Sequence, residues 1–349
     1  MSSLTKIAYY TRKAVILGII GFICFFILKG LLNFGVNQWQ TSHPNPTPAP
    51  NVLFGKLSKI KFPQSKYSYP QNFTLEIIGD QLPEASPSAK VYQIPKKLPS
   101  LLASRRAQEF ANRLKFENPP VSKTPTEYSF IDPSLPLKKL GLDIVNYNFV
   151  LKYDYLKDDG VFQEGGPPQP QQAKEEAQSF FQNTNNFPPD FRQGEIKTTL
   201  LRFSGEKLLP ASSLSKTHVI RVDFLRSGVE DVPILSPEFD QSSVFAVVSG
   251  SRIEEKRIIW AEFKYFEPNY QASASYPIKN INQAWEELKT GHGFISRWQI
   301  NNQRAVIRKA YLAYYDASEY QDYLQPIFVF EGDEEFVAYV PALASDWLE

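Results

Sequence analysis

One cysteine, one methionine and three histidines are all that 349 residues hold of the side chains most used for redox and soft-metal chemistry. A single cysteine excludes a disulfide framework and any cysteine-based zinc site. That thiol, Cys24, lies in an apolar run, and Ile23 before it is not the small residue a lipid-modified cysteine needs. His43, His218 and His292 are too scattered in sequence to suggest a metal pair, and no His-Glu-x-x-His run exists. His43 sits in a proline-rich stretch and His218 opens a strand-like run, "THVIRVDF". His292, in "TGHGF", is flanked by glycines that mark a helix stop. A glycine-rich phosphate loop and a Gly-x-Ser-x-Gly nucleophile turn are missing too, and "VVSGSRI" at 247–253 reads as a hairpin reversal. Asp154, Asp158 and Asp159 in "YDYLKDDG" lack the spacing and the closing glutamate of a calcium loop. Charge of one sign is also lacking. With 38 basic and 37 acidic residues the net charge is +1, which gives no global field to gather nucleic acid. The expectation is a protein without enzymatic activity, cofactor or metal, acting by binding.

What is abundant is apolar and aromatic. The chain is 42% hydrophobic and 14% aromatic, with 26 Phe and 18 Tyr, a load that favours sheet. Its length exceeds a single core and implies two or more folding units. One long apolar run stands out, residues 14–36, "AVILGIIGFICFFILKGLLNFGV", interrupted only by Lys29 and Asn33. As a helix it would extend about 34 Å, enough to cross a bilayer core of roughly 30 Å. It is too long for a signal peptide and no small-x-small cleavage site follows. It therefore predicts a single transmembrane helix, with the lipid bilayer as its first partner. Lys6, Arg12 and Lys13 before the run place residues 1–13 in the cytoplasm, and Trp39 suits the opposite interface. The predicted location is the plasma membrane of a bacterial envelope, with the C-terminal bulk extracytoplasmic. Residues 37–52, with "HPNPTPAP", read as an extended spacer, and Lys56, Lys59, Lys61 and Lys66 follow it.

Beyond the spacer a unit of one helix followed by paired strands recurs three times. Helices are expected at 98–116, 170–182 and 281–290, the first with Leu102, Ala103, Ala107, Phe110, Ala111 and Leu114 on one face. The predicted fold class is α+β, with modules at 53–165, 166–275 and 276–349, each a helix on an antiparallel sheet. The last strands, "YLQPIFVFEGDEEFVAYVPAL" (323–343), form a hairpin about the turn Glu331–Glu334. Neither arm alternates apolar with polar, so both faces need cover. Ala284 and Leu288, one turn apart, can supply one cover; a neighbouring module or another protein must supply the second. On that basis Tyr311, Tyr314, Tyr315, Phe328, Phe330 and Tyr339 are candidate partner-binding residues. The other reading of the same rings is a tyrosine-rich sheet face packed inside the domain.

The segments "YPIKNINQAWEELKTGHGFIS", "AYLAYYD" and "LQPIFVFEGDEEFVAYVPAL" together resemble the C-terminal part of the YycI family of two-component-system regulators and related PepSY-like modules. The shared features are an Ala-x-x-x-Leu helix core (Ala284, Leu288), a Tyr-rich strand (Tyr311, Tyr314, Tyr315) and a hairpin proline (Pro326). The resemblance spans residues 276–343, and the proline-rich spacer and residues 53–275 depart from the family pattern. It implies an extracytoplasmic regulator that contacts a membrane sensor kinase through its transmembrane helix and its ectodomain. The expected function is thus a membrane-anchored binding or regulatory protein engaging a membrane or cell-wall partner. A surface-displayed structural or adhesive protein is the alternative. A cell-wall hydrolase would require two facing carboxylates or a histidine beside a nucleophile.

Overall fold

Aromatic and β-branched residues pack best on a pleated surface, and the described strands are rich in them. In a computed structural model the described residues are Phe22, Lys29 and 49–349 without 78, 80, 85, 164 and 299–302. The chain first lays down β1 (Asn72–Leu75) and β2 (Ser88–Gln93), then leaves their sheet. Helix α1 (Ala103–Arg113) follows, then β3 (Val121–Ser122), β4 (Glu127–Ile131), β5 (Lys138–Asp143) and β6 (Phe149–Tyr153). After α2 (Pro170–Asn183) and the short α3 (Pro189–Gln193) come β7 (Ile196–Phe203), β8 (Leu208–Pro210), β9 (Val219–Phe224), β10 (Ile234–Leu235), β11 (Val244–Ser249) and β12 (Ile258–Phe263). The chain then returns through β13 (Asn269–Pro277), α4 (Ile281–Lys289), β14 (Phe294–Arg297), β15 (Arg304–Tyr315), β16 (Tyr323–Gly332) and β17 (Val337–Pro341).

Two sheets result. The middle of the chain forms a nine-stranded antiparallel sheet in the order β3-β4-β5-β6-β12-β11-β9-β7-β8. The two ends of the chain share the other, ordered β1-β15-β16-β17-β14. Within this second sheet β2 pairs with both β13 and β16, and β10 reaches back from the insertion to run parallel to β15. Residues 94–268 are therefore an insertion between two paired strands of the sheet that begins and ends the described chain.

Small side chains let the inserted helices lie close to their sheet. Ala103, Ala107 and Ala111 of α1, with Ala173 and Ala177 of α2, are buried against it beside Phe110 and Phe181. Phe181 meets Phe224 and Phe263 at ring-centroid distances of 5.2 and 6.2 Å. On the other sheet α4 buries Ile281, Ala284, Trp285 and Leu288, spaced i, i+3, i+4 and i+7. A capping box opens α4: Asn280 accepts from Asn282 N at 2.8 Å, and Gln283 Oε1 accepts from Asn280 N at 3.0 Å.

This architecture corrects the α+β expectation. The described fold is mainly β, with four α-helices of 11, 14, 5 and 9 residues. Three repeated PepSY/YycI-like helix-on-sheet modules do not form, because strands from residues 72–93 complete the sheet of residues 269–341. A helix-then-strands pattern reports local order only, whereas sheet pairing joins segments far apart in the chain. The first helix is also shorter than expected: Leu102 is its N-cap and is exposed, so it has no place on the buried face.

The membrane expectation is corrected as well. Among the described residues no helix is long and apolar enough to cross a membrane. The longest of them, α2, would extend about 21 Å against a core of roughly 30 Å. A single-pass plasma-membrane placement with an extracytoplasmic bulk therefore has no support in the fold. The expected span 14–36, apart from Phe22 and Lys29, lies outside the described residues, as do Lys6, Arg12, Lys13, Trp39 and the spacer through residue 48.

The terminal hairpin is covered on both faces by its own chain. Phe328, Phe330, Ala338 and Val340 join the core under α4. Ile327, Val329, Val337 and Tyr339 point the other way, onto Ile60, Phe62, Leu235 and Phe239. Phe62 stacks on Phe294 at 5.0 Å and meets Tyr315 edge-on at 4.8 Å. The two-sided apolar pattern thus has an internal explanation.

Candidate functional site

The six aromatic residues proposed for partner contact are mostly core. Tyr314, Tyr315, Phe328, Phe330 and Tyr339 are buried; Tyr311 is half-buried and hydrogen-bonds Glu331. Burial pushes the Tyr315 and Tyr339 hydroxyl pKa values up, so both stay protonated. The histidines have local roles: His218 Nδ1 accepts from Phe203 N at 2.9 Å, and His292 Nδ1 lies 3.0 Å from Thr290 Oγ1. Asp158 binds Tyr153 and, at 2.8 Å, Lys256. Among the described residues no group of three or more His, Cys, Asp or Glu could hold a metal ion.

The arrangement best suited to a ligand lies on the face of the inserted sheet opposite its helices. Strand periodicity and register create it. Phe245 on β11 stands opposite Asp223 of β9 and Glu262 of β12, while Val247 stands opposite Arg221 and Trp260. Alternation then puts Arg221, Asp223, Phe245, Trp260 and Glu262 on one surface. Segments 63–67, 236–243 and 294–296 form the opposing wall and enclose a cleft of about 470 Å³.

Arg221 is the organising side chain. Its Cζ lies 3.6 Å from the centroid of the Phe245 ring, close enough for a strong cation–π contact. Nε and Nη2 both donate to the buried carboxylate of Asp223 at 2.8–3.1 Å, and Nη2 also donates to Ser242 O at 3.3 Å. Asp223 in turn accepts from Ser242 N at 2.9 Å. The guanidinium is thereby fixed in position, yet among the described residues nothing accepts from Nη1. Trp260 is half-buried beside it, edge-to-face with Phe245 at 5.2 Å, and Lys152 Nζ sits 5.1 Å from the indole. The remaining charges of the cleft neutralise one another: Lys66 closes on Glu238, and Lys264 on Glu262 at 2.6 Å.

None of these residues figured among the sequence candidates. The signal that could have found them is "RVD" at 221–223, a cation and an acid two apart on a strand and so on one face.

A second groove, of about 340 Å³, lies between the end of α1 and the side of α2, and buried Lys138 borders it. Lys138 Nζ donates to Glu255 O at 2.7 Å. Burial, partly offset by Asp132 and Glu255, holds its pKa below the ordinary lysine value. Between the folded and the unfolded pKa the unfolded chain binds the extra proton, so this group's contribution rises with pH. Chemical unfolding of wild type and Lys138→Met across pH 7–10 is expected to show it: the wild type gains stability relative to the variant as pH rises. A constant difference would contradict that assignment.

No family model matches the chain, and no curated protein does. Among solved structures the chain is similar to an uncharacterized protein from Eubacterium rectale, with a TM-score of 0.38 and 11% identity, over 74% of this chain and 84% of that one. A likeness that weak adds nothing on function.

Proposed function

We propose that this chain is a non-catalytic binding protein, and that the cleft over Arg221 and Trp260 takes a neutral, hydroxyl-rich ligand such as an oligosaccharide. The observation that carries this reading is the guanidinium of Arg221, held rigid by Phe245 and Asp223 with Nη1 left to donate. A preorganised donor costs little to engage, and Trp260 beside it offers apolar surface. Because the lysines of the cleft are each closed by a glutamate, the site has little to draw a free ion. Hydroxyl oxygens would satisfy the donor without the desolvation that an ionic ligand must undergo.

The same ion pairs speak against hydrolysis. Glu238 and Glu262 line the cleft, but each faces a lysine, and a carboxyl kept protonated for acid catalysis needs an apolar surrounding instead.

Saturation-transfer NMR against a panel of neutral oligosaccharides, followed by calorimetry on the ligands that bind, tests the proposal. Arg221→Ala and Trp260→Ala are each expected to weaken binding about ten- to a hundredfold. Arg221→Lys should not rescue, since an ammonium cannot hold the planar fork against Asp223. Wild-type affinity in both alanine variants, with their melting curves intact, would sink the proposal, and so would ligand turnover.

A further inference from the structure

Leu98, Leu101 and Leu102 are 80%, 105% and 52% exposed, three large apolar side chains within five positions. They precede the first turn of α1 and contribute nothing to its buried face. Scattered exposed leucines are ordinary, but a group of three on one projecting turn is not. Along the chain the charges that flank them closely have one sign. Lys96 and Lys97 come just before, Arg105 and Arg106 just after, and no acidic residue occurs from Ile94 to Gln108. Lys97 and Arg105 reach Glu267 at 3.7 Å and Glu109 at 3.1 Å, exposed pairs of the kind that hold side chains weakly. Among the described residues neither Lys96 nor Arg106 makes an ion pair.

We propose that this tip docks on a bilayer surface rich in anionic headgroups. Full exposure of Leu101 means that it has little neighbouring protein on any side, so the turn projects and does not line a groove. A projecting apolar turn suits a deformable interface, into which leucines sink while lysine and arginine stems reach back to phosphates. The cationic rim selects anionic lipid and makes the attachment sensitive to salt. Such docking is peripheral and needs no helix that crosses the membrane.

The test uses the full chain carrying Cys24→Ser and Leu101→Cys, with an environment-sensitive nitrobenzoxadiazole probe on the new thiol. Because the probe reports only its own position, contacts made by other segments do not mask the answer. Vesicles of phosphatidylcholine with phosphatidylglycerol are expected to shift its emission to the blue and raise it several-fold, and about 0.5 M salt should reverse this. Adding Lys96→Glu, Lys97→Glu and Arg106→Glu should weaken the response at least tenfold. Water-like emission while the protein cosediments with anionic vesicles would overturn the proposal. An equal response to pure phosphatidylcholine would overturn it too. A shift that grows with protein concentration in the absence of lipid would assign the tip to a second copy of the chain instead.

Discussion

Replacing Arg226 with alanine is expected to lower the unfolding free energy by about 3–5 kcal/mol, the range for stripping one partner from a buried charge group. The Arg226 side chain is only 2% exposed. It lies two residues past the end of β9 in the inserted sheet and holds Asp190 at the start of α3 through Nε at 3.1 Å. Its other nitrogens cross to the second sheet: Nη1 to Asp316, just after β15, at 2.6 Å, and Nη2 to the Tyr270 hydroxyl of β13 at 2.9 Å. Without the guanidinium, two largely buried carboxylates would face each other uncompensated. Burial raises the pKa of Asp316 above the usual carboxylate range even with Arg226 beside it, which offsets the rise only in part. A group with a raised folded pKa destabilises as pH climbs from the unfolded value through the folded one. Removing the offset widens that window, so the loss in Arg226→Ala should be larger at pH 7 than near pH 4. Asp316→Asn keeps an acceptor for Nη1 and leaves one cation with one carboxylate, so it should cost clearly less than Arg226→Ala. Equal losses in the two variants at pH 7 would show that shape and not charge is what matters at this joint.

The second large effect concerns residues 276–349 expressed alone: they are expected not to fold. The segment contains its helix and its terminal hairpin but none of the strands that complete its sheet. It lacks β1, which pairs with β15 from Asn72↔Arg304 to Leu75↔Ile307, and β2, which pairs with β13 and β16. It also lacks Ile60, Phe62, Leu235 and Phe239, which cover the second face of the hairpin. Uncovered, that face exposes Ile327, Val329 and Val337 to water beside open strand edges, a combination that aggregates. Circular dichroism and proton NMR should show no cooperative melt and narrow dispersion for the fragment, while residues 49–349, one contact-dense unit, melt cooperatively. A well-dispersed fragment spectrum would refute the interleaved topology.

How much of this could be read from the residues follows from the range of each interaction. The hairpin of β11 and β12 was legible in "SSVFAVV" and "RIIWAEFKYF", and so was the terminal hairpin, because an apolar run, a turn and a second run lie close in sequence. Helix α4 was legible through Ala284 and Leu288, one turn apart, whereas its Asn280–Gln283 capping box and the burial of Ile281 and Trp285 come from the structure. The return of β13 to β2, with Tyr276 opposite Ala89, was not legible, since no local period records which distant strand a strand will meet. The second cover of the hairpin stayed open between the chain itself and another protein for the same reason. Phe62 and Phe239 come from loops far off in sequence, so nothing local told which of the two it would be. The cleft was half legible. Arg221 and Asp223 share a strand face by spacing alone, but the Phe245 ring that fixes the guanidinium belongs to another strand.

The proposed function stands or falls on where a ligand touches the protein. Chemical-shift mapping on isotope-labelled protein, titrated with an oligosaccharide that binds, locates that contact directly. Shifts are expected only at residues 63–67, 221–223, 236–245, 260–264 and 294–296, saturating at one ligand per chain and needing about ten- to a hundredfold more ligand in Arg221→Ala. Shifts centred on the groove of Lys115, Lys138 and Glu176, or bound ligand with no change at Trp260, would contradict it.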